Sequence, residues 1–284
     1  MSAIDLFNEW TVKMVQVYSY SGSRVEIPES PERVVSFSPS ITEIVFELGL
    51  GNRVKGITAF CVRPEQTKNV RKIGSYGHVK REILDQINPD LVLTISGYQD
   101  AFTKELSQHY PVVCFELPLT VNGIFDLITK VGLVVGNAEG ACDLSISLSQ
   151  YMPSSKTKKN LKTYIEIDLA SPTSFGSFSY ITDALRLFGL RNIYGGVRRE
   201  WLTPDMKYVK DEDPEVIIYE PKMFSKFSER DAIELIHNRG WEKLKAVSAN
   251  HFYTTPGPND FFAHHGPSFL KEVLSWLNEK TSKI

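Results

Sequence analysis

The chain reads as an α/β protein of two Rossmann-like lobes, each with a parallel central sheet, joined by one long helix. Three observations predict this. First, one phrase occurs twice: Ile87-Asn88-Pro89-Asp90-Leu91-Val92-Leu93-Thr94 and Glu212-Asp213-Pro214-Glu215-Val216-Ile217-Ile218-Tyr219. In each, a charged helix-like segment meets Pro, which ends the helix and biases the residue before it toward extended geometry. The apolar run that follows suits a strand buried on both faces. Second, strand and helix patterns alternate in both halves, as in a parallel sheet covered by helices. Third, residues 121–150 contain no Pro and keep apolar residues at helical spacing, so they read as one helix of about 30 residues.

Val15–Tyr20 alternates like a strand, and Ser21-Gly22-Ser23 reads as a turn. Val34–Phe37 is a compact strand. Ser40 and Glu43 have capping-box spacing, which predicts a helix through Leu48 that stops at Gly49 or Gly51. Gly49-Leu50-Gly51 closes that helix and precedes the strand Val54–Thr58, the reverse of the order a dinucleotide-binding loop needs. Strands follow at Leu91–Thr94 and Val112–Phe115, with a helical segment near Thr103–His109. In the long helix, Gly132, Gly136 and Gly140 weaken the pattern without abolishing it. The polar stretch 153–159 reads as a boundary loop. Then come strand Tyr164–Ile167, loop Ala170–Ser177, helix Ser179–Leu187 and strand Val216–Tyr219. Helix Ser228–His237, with Ser228-x-x-Asp231 at its start, strand Phe252–Thr254 and helix Pro267–Lys280 complete the chain. The expected organisation is a lead-in over 1–31, a first lobe over 32–120, a connecting helix over 121–152 and a second lobe over 153–284. Two such lobes leave a cleft between them, where a ligand would sit.

Composition narrows the function. With 284 residues, 42% hydrophobic and 23% charged, the chain is an ordinary globular protein long enough for two domains. A net charge of −2 argues against general nucleic-acid binding. Cys61, Cys114 and Cys142 fit neither a zinc pattern nor a disulfide framework. No apolar stretch is long enough to span a bilayer, and the N-terminus lacks a basic segment followed by an apolar one, so no secretory signal is expected.

The ordered phrases Glu32 to Glu43, Leu48 to Ile57 and Ile87 to Val92, then Gly176 to Ile193 and Trp241-x-x-Leu244-Lys245-Ala246-Val247, resemble the substrate-binding proteins of vitamin B12 and ferric-siderophore ABC importers. The resemblance covers about residues 31–280. It implies two lobes joined by one rigid helix, a ligand held between them, no catalysis and no catalytic cofactor. The implied ligand is a corrinoid such as cobalamin, a ferric siderophore or haem, delivered to the transmembrane subunits of an ABC permease by a monomeric protein. The implied location is the periplasm or cell surface; a cytoplasmic one stays open.

By the same resemblance the ligand-binding positions fall at Phe60, Tyr76, Trp201, Asp260, Phe261, Phe262 and His264. Aromatics supply rigid apolar area to a flat macrocycle. Phe60 and Tyr76 also have a plainer reading as partly buried aromatics, whereas Trp201, set among Arg198, Arg199 and Glu200, suits the core less. Cys61 either approaches a metal centre or is a small core residue. His264 and His265 make a poor metal pair, because adjacent side chains diverge. Glu82 matches a permease-docking glutamate, whereas the second docking position carries Lys207. Three other readings stand beside this one: a two-lobed chelatase-like enzyme with His78, His251 or His264 as base, a soluble intracellular corrinoid carrier, and a zinc or manganese receptor. Arg63, Arg198 and Arg199 would serve a siderophore.

Overall fold

The computed structural model describes residues 12–154 and 159–284. Most of the expected boundary loop, 155–158, and the first eleven residues lie outside the described part. The chain divides into two compact units, one comprising the residues up to Leu117 with Asp126–Ser145, the other Pro118–Phe125 with Ile146–Ile284.

In the first unit, strands β1 (Met14–Tyr18) and β2 (Arg24–Pro28) form an antiparallel hairpin. Its turn is held to the main sheet: Tyr20 N donates to Cys114 O at 2.8 Å, and Cys114 N donates to Ser19 Oγ at 3.0 Å. Beyond it come β3 (Val34–Ser36), α1 (Pro39–Glu47), β4 (Val54–Thr58), β5 (Lys72–Ser75), β6 (His78–Val79), α2 (Arg81–Ile87), β7 (Leu91–Ile95), α3 (Asp100–Leu106) and β8 (Val112–Phe115). The sheet order is β6-β5-β4-β3-β7-β8, parallel except for β6. All five residues of β7 are buried, as its apolar run requires. Helix α1 starts at Ser38, not Ser40. Pro39 takes the first helical position, where its fixed φ and missing N–H are no cost, and Ser38 accepts from Ile41 N.

The single helix over 121–150 is corrected to two, α4 (Val121–Val134) and α5 (Ala138–Ser149). Gly136 takes a left-handed φ of +76°, and Asn137 N donates back to Gly132 O at 2.8 Å, a Schellman-type stop. Asn137 Oδ1 then accepts from Gly140 N at 3.0 Å and starts the next helix. The glycine is required, because a Cβ there would lie 2.5 Å from Glu29 O.

The second unit holds β9 (Leu161–Asp168), β10 (Pro172–Phe175), α6 (Tyr180–Leu187), β11 (Leu190–Asn192), β12 (Trp201–Leu202), α7 (Met206–Glu212), β13 (Val216–Glu220), α8 (Glu229–Arg239), α9 (Lys245–Ser248), β14 (Phe252–Thr254) and α10 (Leu274–Ser282). Its sheet order is β12-β10-β9-β13-β14, with β11 also on β9. β11, β9, β13 and β14 are parallel, while β10 pairs antiparallel with β9 and β12 antiparallel with β10. β10 replaces the expected loop. The expected Ser228 cap forms in full, with Asp231 completing the box.

The repeated phrase has a physical meaning. Asp90, after Pro89, accepts from Arg33 N at 2.8 Å, and its own N–H donates to Arg33 O at 3.1 Å. Glu215, after Pro214, accepts from Lys162 N at 2.9 Å and donates its N–H to Lys162 O at 2.8 Å. In each unit the acidic residue after Pro thus fixes the start of the neighbouring central strand, at Arg33 just before β3 and at Lys162 in β9. The residues before Pro, Asn88 and Asp213, are left-handed helix caps with φ of 48° and 45° rather than extended. Asn and Asp tolerate this region, and the cap satisfies the last helical carbonyls.

Candidate functional site

Open parallel sheets bind ligands at the carboxyl ends of their strands, where neighbouring connections leave in opposite directions. In the first unit that place is between β3 and β7: the chain leaves β3 toward β4 on one side, whereas β7 and β8 build on the other. Phe60 follows β4 and is 38% exposed. Tyr76 follows β5, and its ring centroid is 5.9 Å from that of Tyr98, which follows β7 and is 76% exposed. The structure thus sets Phe60 and Tyr76 on loops at one end of one sheet and adds Tyr98, which no sequence signal had marked.

Beneath these loops lies a buried polar network. Thr42 Oγ1 is 2.9 Å from Ser36 Oγ and 3.3 Å from Cys61 Sγ, and Thr58 Oγ1 is 3.2 Å from the same sulfur. Cys61 is fully buried, and burial pushes its thiol pKa up against the hydrogen bonds from Thr42 and Thr58. It is a small core residue. Glu82 is exposed in the first turn of α2. Lys207 is the second residue of α7, as Glu82 is of α2, and pairs with Asp211 at 2.5 Å.

In the second unit the corresponding divergence is at the ends of β9 and β13. Trp201 lies opposite Phe175 on the edge strand β12 and is 47% exposed. The loop before α6 is clamped alongside it: Gly176 N donates to Glu200 O, Ser177 N to Val197 O and Phe178 N to Arg199 O. Only glycine fits at 176, where a Cβ would meet Arg199 O at 2.3 Å and Val197 O at 2.4 Å. The clamp leaves Phe178 exposed on the same loop. Arg198 and Arg199 are exposed as well.

The loop after β14 differs from what the resemblance implies. Phe261, Phe262 and His264, expected to face a ligand, have buried side chains, Phe262 completely. The two Phe rings pack edge-on to each other and to Trp276, and Phe262 also meets Phe269. These rings are occupied as core. Asp260 Oδ2 lies 3.6 Å from His264 Nδ1. What holds the loop is Glu220, at the end of β13, which accepts from Phe261 N at 2.9 Å and Phe262 N at 2.5 Å. Burial raises the Glu220 carboxyl to about 7 despite these hydrogen bonds, with the Asp260 charge adding to the rise. Burial and His264 lower His265 to about 3.

A second buried charge belongs to the fold. Arg239 forks onto Glu166 at 2.5 and 2.6 Å and stacks 4.7 Å above the Trp241 ring, while Tyr164 donates to the same carboxylate. Burial and the Glu166 charge push the Tyr164 phenol far up. Among the described residues, no three His, Cys, Asp or Glu side chains are grouped so as to hold a metal ion, and no helix is long and apolar enough to cross a membrane.

Residues 34–258 match the family described as periplasmic binding protein. An uncharacterized ABC transporter substrate-binding lipoprotein of Bacillus subtilis, YvrC, is 23% identical over 273 residues, covering 91% of this chain and 83% of its own. The vitamin B12-binding protein of Yersinia pestis is 21% identical over 196 residues, 67% and 70% of the two chains. A molybdate-bound periplasmic binding protein of a Haemophilus influenzae ABC transporter superposes with a TM-score of 0.74 at 16% identity, covering 95% of this chain and 93% of its own. The last likeness is one of fold.

Proposed function

The chain belongs to the periplasmic binding protein family, and on that premise we propose that it captures a metal chelate outside the cytoplasm and delivers it to an ABC importer, without chemical turnover. A corrinoid is the first ligand class. The observation that carries this is a set of aromatic side chains on hydrogen-bonded loops and an edge strand: Phe60 and Tyr98 exposed with Tyr76 half-buried beside them in the first unit, and Phe178 and Trp201 exposed in the second. Exposed rings on fixed backbone are costly to keep in water and favourable under a flat apolar-faced ligand. The B12-binding relative supports the same class. Arg63, Arg198 and Arg199 suit an anionic ferric siderophore, the second class within the same reading.

Glu82 is the permease-docking residue of the first unit. The equivalent helix position in the second unit carries Lys207, so docking is asymmetric in charge, with Asp205 and Asp211 flanking the lysine. The protein acts as a monomer.

The test is titration of the purified protein with cyanocobalamin, cobinamide, haemin and a ferric siderophore, following tryptophan fluorescence. Saturable quenching by one of them at micromolar concentration or below, diminished in Trp201→Ala, is expected. No response to any of the four overturns the reading.

A further inference from the structure

The loop carrying Tyr76 reaches unusually far. In sheet order β5 is separated from β7 by β4 and β3, roughly 14 Å of strand spacing. Yet the residues after β5 touch those after β7. The carbonyl of Tyr76 accepts a hydrogen bond from the side chain of Gln99, and Gly77 lies against the Tyr98 ring, so that a Cβ at Gly77 would come 3.4 Å from Tyr98 Cε1. The loop after β5 therefore passes over the ends of β4 and β3.

Gln99 is what closes this crossing. It stands just before α3 and makes no side-chain cap to that helix. Its amide turns inward and is fully buried. Oε1 accepts from Ile95 N at 2.9 Å, and Nε2 donates to Phe37 O at 2.9 Å and to Tyr76 O. Both amide hydrogens and an acceptor lone pair are in use, on three separate segments: the end of β7, the loop after β3 and the loop after β5. Only a side-chain amide offers two donors and an acceptor on one planar group. Phe37 O and Tyr76 O belong to buried or half-buried backbone that would otherwise lack this donor, and leaving such groups unpaired is costly.

The latch ends at a pair of rings, Tyr76 half-buried and Tyr98 exposed. Tyr98 is the most exposed of the described large hydrophobic side chains, and it lies beside Tyr76 at an interplanar angle of 37°. A buried three-way amide that fixes two phenol rings side by side, the outer one largely in solvent, is poor economy for stability alone, because Tyr98 buries little.

We propose that Tyr76 and Tyr98 form a two-ring wall for the flat apolar face of the ligand, and that Gln99 is the positioning residue that sets it. This rests on the chelate-binding reading above. Tyr98 contacts ligand; Gln99 acts through the Tyr76 and Phe37 carbonyls and does not touch it. A carboxylate at 99 turns both donors into repelled acceptors at neutral pH, whereas its protonated form returns one donor.

The experiment compares wild type, Tyr98→Ala and Gln99→Glu with cyanocobalamin and haemin as probes, and follows amide hydrogen exchange of residues 74–79 without ligand. Tyr98→Ala is expected to weaken the probe that binds wild type by about tenfold with an unchanged unfolding midpoint. Gln99→Glu is expected to speed exchange over 74–79 relative to wild type at pH 8, to leave 161–168 unchanged, and to weaken binding at pH 8 more than at pH 5.5. Wild-type binding with unchanged affinity in Tyr98→Ala overturns the wall. Unchanged exchange over 74–79 in Gln99→Glu overturns the latch, whether or not a probe binds. Wild type binding neither probe overturns the wall through the functional reading, and exchange still judges the latch.

Discussion

Glu220 and His265 make opposing pH-dependent contributions that a single substitution should separate. Glu220 is buried at the end of β13, with the Phe261 and Phe262 amides and the Asp260 charge around it, and titrates at about 7 against an ordinary 4.5. The folded protein therefore binds this proton more tightly than the unfolded chain. The stability it contributes is fully present below about pH 4.5 and is lost as pH rises through about 7. From about pH 5 to about pH 8 that loss is about 2.5 kcal/mol. His265 runs the other way. Its pKa falls from 6.5 to about 3 through burial and the neighbouring His264, so its contribution is present above 6.5 and is lost as pH falls. Over the same interval it adds about 2 kcal/mol with rising pH, nearly offsetting Glu220. Glu220→Gln removes one side of this balance. Gln keeps one acceptor for the two amides, at a pH-independent cost of about 1 kcal/mol. Urea unfolding of both proteins across pH 5 to 8 gives the difference in stability, in which unrelated groups cancel. The variant should gain about 2.5 kcal/mol on wild type as pH rises from 5 to 8. A difference that stays flat with pH would refute the buried carboxyl as a neutral group.

Three further outcomes follow from the same geometry. Arg239→Met leaves Glu166 buried with only Tyr164 against it, and should cost about 3 kcal/mol in urea unfolding; a loss under 1 kcal/mol would mean the pair is solvated. Gly136→Ala forces a left-handed alanine and a Cβ onto Glu29 O, so its unfolding free energy should drop by about 2 kcal/mol or more; a neutral result would show that the α4–α5 turn can reshape. Glu82→Arg should weaken association with permease in detergent or nanodiscs while ligand titrations stay as in wild type, and unchanged permease-dependent uptake would remove the docking role.

Much of the fold was legible locally. The apolar runs after Pro89 and Pro214 are β7 and β13, and the Ser228 box caps α8, because backbone preference and burial on both faces are written into contiguous residues. The resemblance carried the family and suggested Phe60, Tyr76 and Trp201 as ligand positions, which ligand titration is to test. β10 was missed because Pro-Thr-Ser-Phe holds no apolar run; it forms only because β9 offers an edge. The helix over 121–150 was read as continuous because helical periodicity tolerates glycine, while the backbone of Glu29, a century of residues earlier, leaves room at 136 for glycine alone.

What the sequence by itself determined is the class of protein: two α/β units, each with its Pro-acid device holding a central strand, in a chain of family-typical order. What only the tertiary structure decided is which side chains are available to a ligand. Phe261 and Phe262 carry the same chemistry as Phe60, yet Trp276 and Phe269 have filled their faces. Gln99 has no motif, yet it joins backbone 62 residues away at Phe37 and 23 away at Tyr76. Burial and hydrogen-bond partners are set by what packs from distant parts of the chain, and no local pattern of residues encodes them.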